Sequence, residues 1–152
     1  MKRAPLSILL LEDDPADEYL VRMAMKQASP DTRISTAVDG REGLALLRRE
    51  DGFDKVFDML SGPDLILLDI NMPGMDGHTF LAELKQDPLL CALPVVILTT
   101  SSDQRDISQA YVSGAAGYIV KPLSIEALIE ALRCLCDYWG SVTELPKKMT
   151  SE

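Results

Sequence analysis

The sequence predicts an α/β fold in which a doubly wound, five-stranded parallel sheet carries helices on both faces. Five short apolar runs recur along the chain, and segments with helical spacing separate them. Strand followed by helix, repeated in this way, fits a parallel sheet with both faces covered. Three of the runs, SILLL, LILL and VVIL, are continuously apolar. Such runs are typical of strands that are buried on both sides.

The apolar runs define the predicted strands, and capping residues mark the first helices. Asp14 followed by Pro15 predicts the start of a first helix, because aspartate caps free amides and proline suits the first turn. Asp39 and Glu42 have the spacing of a capping box and predict a second helix. The strands are expected at 7 to 11, 33 to 38, 65 to 68, 94 to 98 and 117 to 120, and the buried face of the first helix is expected to carry Leu20, Val21, Ala24 and Ala28.

The third and fourth helices are predicted at about 78 to 86 and 103 to 113. An Asp-Pro pair ends the third, because the residue before a proline disfavours the helical conformation. Gly114 is expected to cap the fourth. Residues 49 to 63 are longer than a usual connection from helix to strand, so an extended second helix or an ordered excursion is expected there.

Composition and charge narrow the class of protein. The chain has 152 residues, which suits one domain, and its apolar runs are too short to cross a membrane. A formal charge of -9 disfavours direct binding to nucleic acid or to anionic lipid. Three cysteines cannot all pair within one chain, which favours a reducing compartment. The sequence predicts a cytoplasmic protein whose partners are cations or other proteins.

Polar side chains follow four of the five predicted strands. Glu12 and Asp13 follow the first, Asp69 the third, Thr99 the fourth and Lys121 the fifth. In an open parallel sheet these strand ends share one edge, where ligands bind. For any one residue a helix cap or a solvated turn is the simpler interpretation. Together they predict a site.

Carboxylates that converge need a positive charge to offset their repulsion, which is on the order of 4 kcal/mol per pair at about 4 Å. Oxygen ligands in a partly open acidic site suit Mg²⁺. The single histidine, His78, is expected to begin the third helix, so zinc is disfavoured. With Mg²⁺ beside it, Asp69 has the surroundings of a nucleophile that accepts a phosphoryl group as an acyl phosphate. Lys121 and Thr99 would stabilise the transferring oxygens.

The sequence resembles the receiver domain of two-component response regulators. The resemblance spans roughly residues 7 to 136 and is carried, in the family's order, by LLLEDDP, DLILLDINMPGMDG, PVVILTT and GAAGYIVKP. It implies a flavodoxin-like sheet with strand order 2-1-3-4-5. It also implies a receiver domain at 1 to 140 and a tail at 141 to 152, with no output domain.

The resemblance assigns roles residue by residue. It implies that Asp69 is phosphorylated from a phosphohistidine of a sensor histidine kinase. Asp13 and Asp69 would bind Mg²⁺ together with the backbone carbonyl of Asn71, and Glu12 would act through water. The family is one of regulators, so no enzyme activity is expected.

Three further assignments concern the other side of the site. The resemblance implies that Thr99 is the switch residue and that Tyr118 is the aromatic partner that turns inward with it. It implies that Lys121 binds the phosphate. It also implies a cis peptide bond between Lys121 and Pro122, which would aim the lysine into the site.

The pattern of apolar residues on the last helix predicts the surface through which the signal leaves the domain. A second apolar line lies away from its core stripe and suits close helix contact, so we expect a homodimer through this helix and the adjoining tail. A wider core contact, or cover by the tail, is the alternative. The core stripe is Ile125, Leu128, Ile129, Leu132, Leu135 and Trp139, and the second line is Ala127, Ala131, Cys134 and Tyr138.

A narrower resemblance concerns the tail DYWGSVTELP at 137 to 146, the long region after the second helix, and ILTTS. Together they are similar to single-domain regulators paired with bacterial phytochromes. This implies a red-light sensor histidine kinase as phosphodonor. Output would then run through protein–protein interaction or onward phosphorelay.

Three other functions compete with this one. A phosphatase of the haloacid dehalogenase type also uses an aspartate nucleophile and Mg²⁺, but has a second aspartate where this chain has Asn71. A flavodoxin-like nucleotide binder would have phosphate-binding glycines after the first strand, where acids stand here. The third is a binding module that works without phosphorylation, which the full set of acceptor, metal and switch residues disfavours.

Overall fold

A computed structural model describes residues 5 to 48 and 62 to 146. The predicted excursion at 49 to 63 therefore lies almost wholly outside the described residues, as does the end of the tail. The strands are β1 (Ser7–Leu11), β2 (Arg33–Ala37), β3 (Leu65–Leu68), β4 (Val95–Thr99) and β5 (Gly117–Val120). The helices are α1 (Pro15–Ala28), α2 (Gly40–Arg48), α3 (Gly77–Gln86), α4 (Gln104–Val112) and α5 (Ile125–Asp137), and a π-helical turn at Tyr138–Val142 follows α5.

All five strands pair in parallel in one sheet, in the order β2-β1-β3-β4-β5. This confirms the predicted doubly wound fold and strand order. At the carboxyl edge, Leu11 pairs with Ala37 on one side and Leu68 on the other. The residues that follow these strands therefore emerge side by side.

Alternate strand residues feed two separate cores, one on each face of the sheet. Leu9 and Leu11 pack with α2 and α3 residues in one core, and Ile8 and Leu10 pack with α1 and α5 residues in the other. Because both faces are covered, the runs predicted to be buried on both sides, in β1, β3 and β4, are buried at every position. Within the described residues, no helix is both long and apolar enough to cross a membrane.

The predicted caps are present at α1 and α2. The Asp14 side chain accepts a hydrogen bond from the amide of Ala16, and Asp39 accepts one from the amide of Glu42, each at 2.9 Å. The third helix begins one residue earlier than predicted, because Asp76 caps it through the amide of Thr79. These caps fix where each helix leaves the edge of the sheet that carries the polar residues.

Two further details differ from the sequence prediction. Leu20 is 41% exposed, and Met25 takes its expected place on the buried face of α1. Packing against α5 decides which side of α1 is buried. The spacing of residues within α1 alone does not indicate that side. Strand β4 also runs one residue further than predicted, because Thr99 pairs with Val120 of β5.

Candidate functional site

The ends of two neighbouring strands, β1 and β3, bring the predicted acidic residues together. Carboxylate oxygens of Glu12, Asp13 and Asp69 lie within 4.8 Å of one another. Glu12 and Asp13 follow β1, and Asp69 follows β3, so the pairing of these two strands places them side by side. Three oxygen donors at this spacing, without sulfur or imidazole, could bind a hard divalent cation.

Two hydrogen bonds hold one oxygen of the Asp69 carboxylate. Its Oδ1 accepts hydrogen bonds from the Thr99 hydroxyl and from the backbone amide of Asn71, each at 2.9 Å. Its Oδ2 lies 3.6 Å from the ammonium nitrogen of Lys121. The residue is 7% exposed. One carboxylate oxygen is thus fixed by two donors, and the other faces a cation.

Glu12 is buried and contacts Lys121 directly. The ammonium nitrogen of Lys121 donates a hydrogen bond of 2.5 Å to Glu12 Oε1. Burial raises the pKa of the Glu12 carboxyl to about 7, although the bond and charge of Lys121 act to lower it; Asp69 adds to the rise. Burial and a neighbouring acid both penalise the charged form, and here they outweigh the lysine. A bound divalent cation would favour the charged form of Glu12.

Lys121 reaches this cluster from the loop between β5 and α5. The predicted cis peptide bond before Pro122 is wrong, because the described residues contain no cis peptide bond. The preference for trans before proline is only about 0.5–1 kcal/mol, so the local sequence alone does not fix the isomer. With the trans bond, the Lys121 side chain is 11% exposed and lies against the acidic residues.

Thr99 and Tyr118 both point inward. The Thr99 side chain is fully buried at the end of β4 and bonds to Asp69. The Tyr118 hydroxyl donates a hydrogen bond of 2.9 Å to the backbone carbonyl of Ser101, in the loop after β4. Burial raises the pKa of this hydroxyl. The hydrogen bond thus links β5 to the loop that follows Thr99.

Residues outside the predicted site hold the loop after β4 in place. The Ser101 hydroxyl donates to Asp106 at 2.6 Å, and His78 Nε2 lies 3.2 Å from the other oxygen of Asp106. Hydrogen bonds from Ser101 and His78 lower the pKa of Asp106. Asp106 and His78 belong to different helices and lie 28 positions apart, so no local motif indicated the contact.

Asp17 is the other residue that the sequence prediction missed. Its Oδ2 lies 3.5 Å from the ammonium nitrogen of Lys121. The available signal in the sequence is only that Asp17 stands shortly after Asp13, in the first turn of α1.

The second apolar line on α5 remains at the surface. Ala127, Cys134 and Tyr138 are exposed and Ala131 is half-buried. The described part of the tail, up to residue 146, does not bury these side chains. The core stripe of α5 is confirmed at Leu128, Leu132 and Leu135, and Cys136 joins it.

Comparison with known proteins agrees with this geometry. Residues 8–133 match the model of the response regulator receiver domain. The chain is 34% identical over 142 residues to the response regulator Rcp1 of Synechocystis sp., covering 93% of this chain and 94% of Rcp1. It is 36% identical over 135 residues to the probable methanogenesis regulatory protein FilR2 of Methanothrix harundinacea, covering 89% and 84%.

Solved structures show the same likeness. The phosphorylated cyanobacterial phytochrome response regulator RcpA is 37% identical, with a TM-score of 0.85 over 95% of this chain and all of that one. The Mn²⁺-bound form of Rcp1 has a TM-score of 0.81, with 34% identity over 94% of this chain and all of that one. The chain therefore belongs to the response regulator receiver domain family, the regulator component of two-component systems.

Proposed function

We propose that this receiver accepts a phosphoryl group on Asp69 from a sensor histidine kinase, with Mg²⁺ held beside it. The observation that carries the proposal is the position of Asp69, whose carboxylate lies within 4.8 Å of those of Glu12 and Asp13 and 3.6 Å from Lys121. A buried carboxylate between further acids and a cation is poorly suited to a purely structural role, because the acids repel one another.

The transfer follows from this arrangement. An oxygen of Asp69 attacks the phosphorus of a phosphohistidine, the P–N bond breaks, and the imidazole leaves with the electron pair. Lys121 neutralises charge on the transferring oxygens, and the Thr99 hydroxyl can donate to one of them instead of to Asp69. Mg²⁺ would be held by Glu12, directly or through water, by Asp13 and Asp69, and by the carbonyl of Asn71. When bound it supplies further neutralisation of the phosphoryl charge.

The switch is proposed to use the same hydroxyl. When Thr99 turns to the phosphoryl group, its bond to Asp69 is exchanged, and Tyr118 stays inward against the carbonyl of Ser101. The loop after β4 then has one preferred conformation, which a partner protein can recognise at the face formed by α4 and β5. Exposed apolar side chains on that face, Val112 and Val120 among them, provide an apolar contact surface for a partner protein.

For the phosphodonor, we propose a histidine kinase of the bacterial phytochrome type. The support is similarity: RcpA is described as a phytochrome response regulator, and it matches this chain over nearly its whole length. Phosphotransfer from an autophosphorylated phytochrome kinase should be faster than from an unrelated histidine kinase at equal concentration. Equal rates would contradict this part of the proposal and leave the role of Asp69 intact.

For the output, we propose a homodimer through the exposed line of α5, with signalling by protein interaction or onward phosphorelay. Sedimentation at micromolar concentration should show a dimer, and Ala131→Glu should give a monomer because it places a charge in the contact. Glu126→Gln, on the charged side of α5, is the control and should remain dimeric. A wild-type monomer, with and without phosphate, would contradict the dimer.

Phosphorylation itself has a direct test. Incubation with acetyl phosphate or phosphoramidate and Mg²⁺ should give one acid-stable, base-labile phosphate, located at Asp69 by mass spectrometry. Asp69→Asn should abolish it, whereas Asp31→Asn, which alters an exposed acid between α1 and β2, should not. Labelling that persists in Asp69→Asn would overturn the proposed acceptor. Absence of label would instead support a module that works without phosphorylation, and repeated turnover of small phosphomonoesters would support a phosphatase.

A further inference from the structure

Lys121 faces more carboxylates than the proposed phosphoryl transfer requires. Its ammonium nitrogen lies 2.5 Å from Glu12, 3.5 Å from Asp17 and 3.6 Å from Asp69. An ammonium group has three N–H donors; Glu12 and Asp17 accept hydrogen bonds from two of them, and Asp69 is near enough to form an ion pair. Glu12 and Asp69 belong to the acidic cluster that could hold a cation, and Asp17 does not.

Asp17 approaches Lys121 from a different element. It lies in the first turn of α1, which packs beside α5, so its side chain faces the loop that carries Lys121. Its side chain is 38% exposed, whereas that of Glu12 is 1% exposed. Solvent screens the contact with Asp17 more strongly, which makes it the easier of the two contacts to break.

We infer that Asp17 is a positioning residue that restrains Lys121, holding its ammonium group toward α1 and away from the phosphoryl oxygens. The inference rests on the proposed phosphorylation of Asp69. Lys121 must turn at least one N–H donor to the transferring oxygens, and a carboxylate that holds this donor competes with them. Asp17 touches no reacting atom and acts only through Lys121.

A simpler effect of charge must be separated from this restraint. Asp17 also adds negative charge near the site, which slows the approach of any anionic phosphodonor. Glu18 is the matched control, because it is the next residue of α1 and carries the same charge. It pairs with Arg22 at 3.1 Å instead of with Lys121.

The test compares initial rates of Asp69 labelling by acetyl phosphate with excess Mg²⁺ in wild type, Asp17→Asn, Asp17→Glu and Glu18→Gln. A half-exposed ion pair is weak, so Asp17→Asn should label about two- to fivefold faster. Asp17→Glu keeps the charge within reach of Lys121 and should restore the wild-type rate. Glu18→Gln should label at the wild-type rate.

Three results would overturn the restraint: no change in Asp17→Asn, a slower rate, or an equal acceleration in Glu18→Gln. A second measurement repeats Asp17→Asn in a Lys121→Met background, where the acceleration should vanish; its persistence would also overturn the restraint. Asp17→Ser provides a second neutral variant, and thermal melts establish that each variant is folded. If Asp69 labels normally and all rates coincide, the restraint alone fails. If Asp69 is not labelled in any variant, the proposed function fails.

Discussion

The hydroxyl of Thr99 donates a 2.9 Å hydrogen bond to the carboxylate of Asp69. The bond crosses from the end of β4 to the residue after β3, and the Thr99 side chain has no exposure to solvent. The same carboxylate oxygen also accepts from the backbone amide of Asn71. The proposed switch residue and the proposed acceptor are therefore in direct contact.

Replacing Thr99 with valine should destabilise the protein. The change keeps the shape of the side chain but removes a donor to a buried carboxylate, and such a bond contributes about 1.5–3 kcal/mol. Because the amide of Asn71 still serves the same oxygen, we expect a loss of about 1–2 kcal/mol in the free energy of unfolding, measured with urea at neutral pH. Thr99→Ser, which keeps the hydroxyl, is the control. A valine variant as stable as wild type would show that the bond contributes nothing.

The pKa of Glu12 predicts how stability depends on pH in metal-free protein. Burial raises it from 4.5 to about 7. Between these two values the folded protein holds a proton that the unfolded chain has released, so the stabilising contribution is complete below about pH 4.5 and is lost as the pH rises through about 7. The free energy of unfolding in EDTA should therefore fall from pH 5 to pH 8. The fall should be on the order of 1–3 kcal/mol relative to Glu12→Gln, which lacks this proton. Parallel profiles for the two proteins would contradict the assignment to Glu12.

Added Mg²⁺ should act against that trend. A cation between Glu12, Asp13 and Asp69 competes with the proton on Glu12, so Mg²⁺ should raise the melting temperature more at pH 8 than at pH 5.5. At about 100 times the dissociation constant the expected stabilisation is about 2.7 kcal/mol. Differential scanning calorimetry measures it. Asp13→Asn should weaken the response, and an equal response at both pH values would argue against a site that contains Glu12.

The start of α3 leaves no room for a side chain at Gly77. A methyl group there would lie 2.5 Å from Cα of Ile70 and 2.7 Å from the carbonyl oxygen of Asp69. Both contacts are with backbone, which has to move, so Gly77→Ala should cost about 2–4 kcal/mol and displace Asp69. Gly117→Ala is the matched control, because its nearest contacts, with Val96, are at an ordinary 3.7 Å. Chemical denaturation should separate the two variants, and equal stabilities would refute the prediction.

The sequence predicted the sheet and its acidic edge because those signals are local. An apolar run that ends in Glu12 or Asp69 marks a strand and its ligand end within a few residues, and Asp14 before Pro15 marks a helix start. The contact between Lys121 and Asp17 joins residues 104 positions apart and depends on how α1 is rotated. That rotation is set by packing between helices, which also placed Met25 and not Leu20 in the core. The spacing of residues within α1 alone does not indicate this rotation.

The central strands β1 and β3 carry continuous apolar runs, so hydrophobic burial alone does not fix their register in the sheet. Both faces of β1 and β3 are buried, so sliding either strand by one position would exchange one apolar side chain for another, and hydrophobic burial would resist little. Sliding toward the amino edge of the sheet would, however, draw Glu12 or Asp69 into the interior without their partners, at a cost of several kcal/mol per charge (about the penalty for an unpaired buried ion). The acids at the strand ends thus act as stops that hold the strands in place, and the groups proposed for signalling also help to select the native alignment.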